Sequence, residues 1–383
     1  MLIGIDGNEA NQKVRVGSGV YGFELLRQFK KYQISNIKYQ IYFKKEPIEE
    51  FLKTSDYWNY KVFGPSKFWT QIILPLELWR EKFTNQAPDV FFTPTHYAPR
   101  FCPVPSVITI FDISFIKFPD MFLKKDLYQL RNWTAYSVKQ AEKIITISKF
   151  SKEEIISYYG VHSDKVVVVY PGYDIKKFKI KNLKLKIDII KKKYKIDVPY
   201  LLFIGTIQPR KNLKRLLEAF HKLKVNNKSL KLVLCGMINE GRGGWGSREV
   251  FYKIRQLKLE SEVIMAGFVS DVDLPKLLAG AVGLVLPSLY EGFGIPVLEA
   301  LASGVPVVIS KSSSLPEVAG SAGIYIDNPL DENSIYNSLK RLLALTRKEL
   351  DELIKLGLTQ AEKFSWQRSA KKVLDILIKV GQR

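Results

Sequence analysis

The chain has 383 residues, 46% hydrophobic and 25% charged, which is too long for one ordinary core and predicts two domains of similar size. No apolar run approaches the ~20 residues of a membrane-spanning helix, and MLIGIDGNEANQ goes straight into a short strand without a charged leader, so a cytoplasmic protein is expected. Only Cys102 and Cys235 occur, too far apart for a disulfide framework or a zinc site, while a formal charge of +21 calls for an anionic partner.

Strand-like and helix-like runs alternate along the chain, the pattern of parallel sheets covered by helices. MLIGIDG, IKYQIYF, DVFFTP, SVITIFD, KIITIS and KVVVVY read as strands, with GVYGFELLRQFKKY, LRNWTAYSVKQA and KEEIISYYG as helices between them. FWTQIILPLELW, Phe68 to Trp79, reads as an amphipathic helix that buries Trp69, Ile72, Ile73 and Leu76 and is kinked or broken at Pro75. An alternative is that its aromatics dock on a lipid or sugar. After YPGYD the alternation restarts: strands YLLFIGT, LKLVLCG, EVIMAGF, GLVLPS and PVVIS, with helices between and after them. The reading is an α/β protein of two Rossmann-like domains, residues 1–174 and 175–363, with 364–383 as a closing helix.

Between the two lies KKFKIKNLKLKIDIIKKKYKI, Lys176 to Ile196, with ten lysines and one aspartate. It reads either as a solvated linker or as a basic amphipathic helix beside anionic lipid headgroups, an anionic membrane surface contacting Lys176–Lys195.

In open parallel sheets ligands sit beyond the carboxyl ends of the strands, in loops that lead into helices. GNEANQKVRVGSGVY follows the first strand, where Gly17 and Gly19 allow backbone amides close to a phosphate or sugar, though a plain turn reads equally well. GTIQPRKN, from Gly205, places Arg210 and Lys211 at a helix N-terminus, where cations are unfavourable unless an anion lies between them and the helix. In EGFGIPVLEALASG, Pro296 suits a first helical turn and Gly304 its end. Gly292 and Gly294 clear the approach, so amides around Phe293 can face a diphosphate. Glu299 can then accept from a ribose diol, and Glu291 can reach the sugar beyond the phosphates. The plainer alternatives are a helix-dipole partner for Glu299 and a cap for Glu291.

EGFGIPVLE resembles the E-x7-E motif of retaining glycosyltransferase family 4, whose fold is GT-B: two Rossmann-like domains facing each other across a cleft. GTIQPRKN resembles that family's phosphate-gripping loop. The longer run SLYEGFGIPVLEALASGVPVVISKSSSLPEVAG resembles bacterial mannosyltransferase-like enzymes of surface polysaccharide synthesis, with weaker likeness in GSGVY, FTPTHYAP, ITIFDISFIKFPD, TISKFSKEEII and YPGYD. FSWQRSAKKVLDIL resembles the family's last helix, which crosses back to the first domain. The resemblance implies that Arg210 and Lys211 neutralise the donor diphosphate, Glu299 holds the ribose, Glu291 contacts the sugar, and Ala266 to Asp271, with Phe268, lies against the base. It implies front-face attack with retention, the leaving phosphate taking the acceptor proton, no cofactor and no divalent metal. GDP-mannose is the favoured donor, and a glycan or lipid-linked glycan the acceptor, met at the inner membrane face when lipid-linked. Where relatives carry a histidine before Asp112, this chain has Phe111, which moves no proton. Asp112 or His96 then supplies the polar contact.

Two other classes compete. A sugar-nucleotide epimerase of the same fold needs proton-abstracting carboxylates. A nucleic-acid-binding protein fits the charge, but no reader motif or interleaving of aromatic with basic residues is present, so no nucleic-acid partner is expected.

Overall fold

Strands covered on both faces by helices bury every side chain, so their sequences are unbroken apolar runs rather than alternating ones. The computed structural model describes all residues except 16, 33, 35, 52–53, 96, 179–182, 226, 237–246 and 383, and no side chain at 183–185 or 247. It divides into two units. The first holds Met1–Ile116, Lys124–Gly172 and Ser365–Arg383; the second holds Lys117–Leu123 and Tyr173–Phe364.

The first unit carries β1 (Leu2–Asp6), β2 (Lys38–Phe43), β3 (Trp58–Val62), β4 (Val90–Thr93), β5 (Ser106–Thr109), β6 (Lys143–Thr146) and β7 (Val166–Val168), all parallel, in the order β3-β2-β1-β4-β5-β6-β7. The second carries β8 (Tyr200–Ile204), β9 (Lys231–Cys235), β10 (Val263–Gly267), β11 (Gly283–Leu286), β12 (Val307–Ser310) and β13 (Gly323–Ile326), again all parallel, in the order β10-β9-β8-β11-β12-β13. Two of the four edge strands, β3 and β13, were not among the strands expected. The helix Trp366–Gly381 belongs to the first unit, where Trp366 lies edge-on to Tyr21 at 5.7 Å. Residues 117–123, in the middle of the first unit's sequence, join the second, and Phe118 lies 5.7 Å from the ring of Tyr290.

The segment after β3 departs from its expected packing. Pro75 has no N–H to give the preceding turn and its ring crowds it. The chain widens there into a π-helical turn, Trp69–Ile73, in which the Leu74 N–H bonds the Trp69 carbonyl, and Pro75 then opens the α-helix Leu74–Phe83. The wide turn resets the helical register. Trp69, Leu74 and Leu78 are buried against Tyr42 and Phe91, with Ile73 partly buried beside them, whereas Ile72 and Leu76 are 49% and 63% exposed. Ile72 and Leu76, expected in the core, therefore face solvent. Among the described residues no helix is long and apolar enough to cross a membrane.

Candidate functional site

In the second sheet the strand order reverses between β8 and β11, which opens a crevice beyond their carboxyl ends. The loops after these two strands are tied together there. Leu289 N–H donates to the Arg210 carbonyl at 2.7 Å, Arg210 Nη1 to the Tyr290 carbonyl at 2.8 Å, and Asn212 Nδ2 to the Pro287 carbonyl at 3.1 Å. Pro209–Lys211 form one 3₁₀ turn, and Asn212, left-handed at φ 61°, turns the chain into the helix Leu213–Lys224.

This brings three of the expected residues into one cluster. Lys211 Nζ lies 2.5 Å from Glu291 Oε1 and Arg210 Nη1 3.2 Å from Oε2, while Ser288 Oγ donates to Oε1 at 2.7 Å. Glu291 and Lys211 are buried. Burial pushes the Glu291 carboxyl up, but Lys211, then Arg210, and the hydrogen bonds from Lys211 and Ser288 outweigh it and hold it below the ordinary range. The anion expected beside Arg210 and Lys211 is thus in the first instance the protein's own carboxylate, 80 residues further along the chain. The three side chains together carry one net positive charge, which suits them to receive an anionic group.

The sequence reading missed the serines that shape this turn. Ser313 Oγ accepts from the Glu291 N–H at 3.0 Å, and Ser314 Oγ donates to the carbonyls of Glu291 and Phe293 at 2.8 and 2.9 Å. The run SSS just after β12 was the available signal. Gly294 precedes the helix Ile295–Ala302 at φ 104°, and a Cβ there would lie 2.7 Å from Leu315. Gly292 and Phe293 are buried, Phe293 edge-on to Phe364 at 5.5 Å, and Pro296 is in the first turn as expected.

Glu299, on that helix, is partly buried, and among the described residues its carboxylate meets no hydrogen-bond donor. Burial pushes it up to about 7, with Lys177 pulling it down and Asp271 pushing it up. Lys177 lies on the short helix Ile175–Phe178, which packs on Ile295–Ala302, and pairs with Asp271 at 2.9 Å. Lys193 pairs with Asp273 at 2.5 Å, and Ile190 and Ile196 are buried. The lysine-rich stretch is therefore partly built into the second unit, while Lys179 and Lys181 fall outside the described residues. Gly205, Gly236 and Gly267 end β8, β9 and β10 side by side, Gly205 N–H on the Cys235 carbonyl and Gly236 N–H on the Gly267 carbonyl. A Cβ on Gly236 would fall within the Gly205 carbonyl. Phe268, next in the chain, is exposed.

The remaining expected residues lie in the first unit. Gly17, at φ 50°, precedes the helix Ser18–Phe29, and a Cβ on Gly19 would stand 3.0 Å from the Glu9 carbonyl. Asp112 accepts from the Ser114 N–H at 2.8 Å, and Phe111 packs edge-on to Tyr21 at 5.1 Å. His96 lies outside the described residues. An unforeseen carboxylate, Asp6, ends β1 where this sheet's order reverses, buried and pushed up to about 6 by that burial, with Asn8 donating to it. Among the described residues no three His, Cys, Asp or Glu side chains gather as metal ligands would.

The family model described as Glycosyl transferases group 1 matches residues 186–357, and that described as Glycosyltransferase Family 4 matches residues 40–177. The O-antigen chain mannosyltransferase B of Escherichia coli is 34% identical over 263 residues, 68% of this chain and 67% of that protein. The chain belongs to glycosyltransferase family 4. A second relative of this glycosyltransferase, the O-antigen chain mannosyltransferase RfbU of Salmonella typhimurium, is 32% identical over 61% of this chain and 60% of its own length. The fold is GT-B, as in sucrose-phosphate synthase from Thermosynechococcus elongatus, which has a TM-score of 0.76 at 16% identity over 99% of this chain and 98% of that one. Anabaena HepE, solved in complex with UDP-glucose, has a TM-score of 0.74 at 18% identity, with 99% of both chains covered.

Proposed function

We propose that this glycosyltransferase transfers mannose, with retention, from GDP-mannose to a glycan or lipid-linked glycan of a surface polysaccharide, in the cytoplasm at the inner membrane face. The carrying observation is the buried Arg210–Lys211–Glu291 cluster at the strand-order reversal of the second unit. The mannosyltransferase names of the relatives support the sugar. On this reading the second domain, 175–363, binds donor and the first, 1–174, acceptor. The bond from the sugar C1 to the donor diphosphate breaks, the acceptor oxygen joins C1 on the same face, and the acceptor proton passes to the departing phosphate. Arg210 and Lys211 stabilise the charge that develops on the diphosphate, the helix Ile295–Ala302 adds its positive end, and Glu299 takes the ribose hydroxyls. Phe268 lies against the base, and Asp112 or His96 serves the sugar from the first domain.

A thermal-shift panel of nucleotide sugars tests the donor. At a hundred times its Kd a ligand of the folded state adds about 2.7 kcal/mol, so GDP-mannose should raise the melting midpoint by several degrees and UDP-glucose should not. A larger shift with UDP-glucose overturns the choice of donor, and no shift with any nucleotide sugar overturns the site. With two cations at the diphosphate, transfer should continue in excess EDTA; a tenfold or greater loss restored by Mg²⁺ would show that the cations do not suffice.

A further inference from the structure

From Leu74 onward the helix turns about 100° per residue, so Leu76, Trp79 and Phe83 share an arc of about 60° opposite the buried Leu74 and Leu78. All three face solvent, Leu76 at 63%, Trp79 at 40% and Phe83 at 80% exposure. Ile72 and Phe68, both exposed, continue the stripe through the π-helical turn, and Phe101, whose carbonyl accepts from Trp79 Nε1 at 2.9 Å, widens it. A helix apolar on two opposite faces is costly in water unless something covers the second face.

The charges beside the stripe say what covers it. Arg80 lies along one edge, Lys82 along the other, and Lys67 stands over the exposed Phe68 ring at 5.4 Å. The acids of the same helix are turned away or answered. Glu81 is buried and takes hydrogen bonds from Tyr42 and Lys61, and Glu77 pairs with Lys61 and Arg80. A second copy of this chain meeting the stripe about a two-fold axis would set cations against cations. A nucleic acid has no use for its exposed aliphatic side chains. An anionic lipid surface satisfies both parts: acyl chains for Leu76 and Phe83, the headgroup boundary for Trp79, and phosphates for Lys67 and Lys82, with Arg80 shared with Glu77.

We infer that the outer face of the segment Phe68–Phe83 seats this enzyme on an anionic bilayer, its apolar stripe entering the headgroup boundary and its basic rims binding phosphate. The inference gives the proposed lipid-linked acceptor its meeting place, but is tested without donor or acceptor. Co-flotation of the full chain with phosphatidylcholine–phosphatidylglycerol vesicles at physiological salt should show binding that pure phosphatidylcholine does not. L76Q/F83Q, changing only exposed side chains, should keep the wild-type melting midpoint and lose roughly tenfold in vesicle affinity. A wild-type chain that does not float, or a folded double variant that binds as well, overturns it. So does a wild-type dimer in ultracentrifugation that the variant abolishes, which would name a second copy as the cover. Neutralising Lys184, Lys186, Lys191, Lys192, Lys193 and Lys195 instead should leave most of the affinity; loss of nearly all of it moves the anchor to that stretch. Vesicle binding with no response to any nucleotide sugar would leave this inference standing and remove the donor reading.

Discussion

Lys211→Ala is expected to lower turnover by roughly 10²–10³-fold, the loss typical of a preorganised charge at a leaving group. It should also weaken the fold by about 3–5 kcal/mol at pH 7, because the buried Glu291 carboxylate loses the closer of its two cations. The two effects are separable. In Lys211→Ala/Glu291→Gln the carboxylate is gone, so most of the lost stability should return in a urea titration while turnover stays well below that of Glu291→Gln alone. Recovery of turnover along with stability would mean that Lys211 acts only through the fold. The linkage runs the same way: Glu291 is held below its ordinary range, so its contribution is present above the unfolded value and is lost as pH falls through the folded one.

The second large effect is expected at Glu299. Its folded value of about 7 against an ordinary 4.5 means that the folded protein binds the extra proton between those limits. The carboxylate therefore costs the fold nothing below pH 4.5 and progressively more up to pH 7, reaching about 3 kcal/mol above that. Glu299→Gln should match the wild type in stability at pH 4 and exceed it at pH 8 by up to that amount. The same variant should raise the donor KM by roughly 10-fold or more with turnover nearly kept, since hydrogen bonds from ribose hydroxyls to a carboxylate are felt equally in ground and transition states. A fall in turnover at unchanged KM would move Glu299 from binding to chemistry. The donor KM of the wild type should likewise rise as pH drops below 7, because the protonated acid is the poorer acceptor.

Where interaction is local, the sequence was legible. Eleven of the thirteen strands were read, most of them from apolar runs such as YLLFI and PVVIS, and the turn before Pro296 is marked by its own glycines. The two strands missed are two of the four edges: WNYKV mixes polar residues into its run, and GIYI begins on a glycine directly after the turn Gly320–Ala322, so turn residues mask its start. The π-helical turn before Pro75 could not be foreseen from a 3.6-residue period, and it moved Ile72 and Leu76 from core to surface. The site's charges were legible singly but not in combination. Arg210, Lys211 and Glu291 stood out by their loops, yet their bonding spans some 80 residues and depends on β8 and β11 lying side by side. Lys177 was read as one charge among ten in a basic run, because its partner Asp271 is 94 residues away.

The helix Trp366–Gly381 has a consequence for biogenesis. It covers part of the first sheet, against the helix Ser18–Phe29 and strands β4 and β6, and Ser369 Oγ donates to the Tyr170 carbonyl. During synthesis the ribosome releases residues 1–172 long before residues 366–381 exist. That nascent sheet must wait through the making of the whole second unit with apolar surface uncovered around Tyr21 and Val90, which meet Trp366 and Gly381, a state in which chains tend to aggregate. The second unit, which takes only residues 117–123 from upstream, has all its segments in hand by Phe364 and can close first. On the ribosome, then, the half of the enzyme that is made first is the last to receive all of its chain.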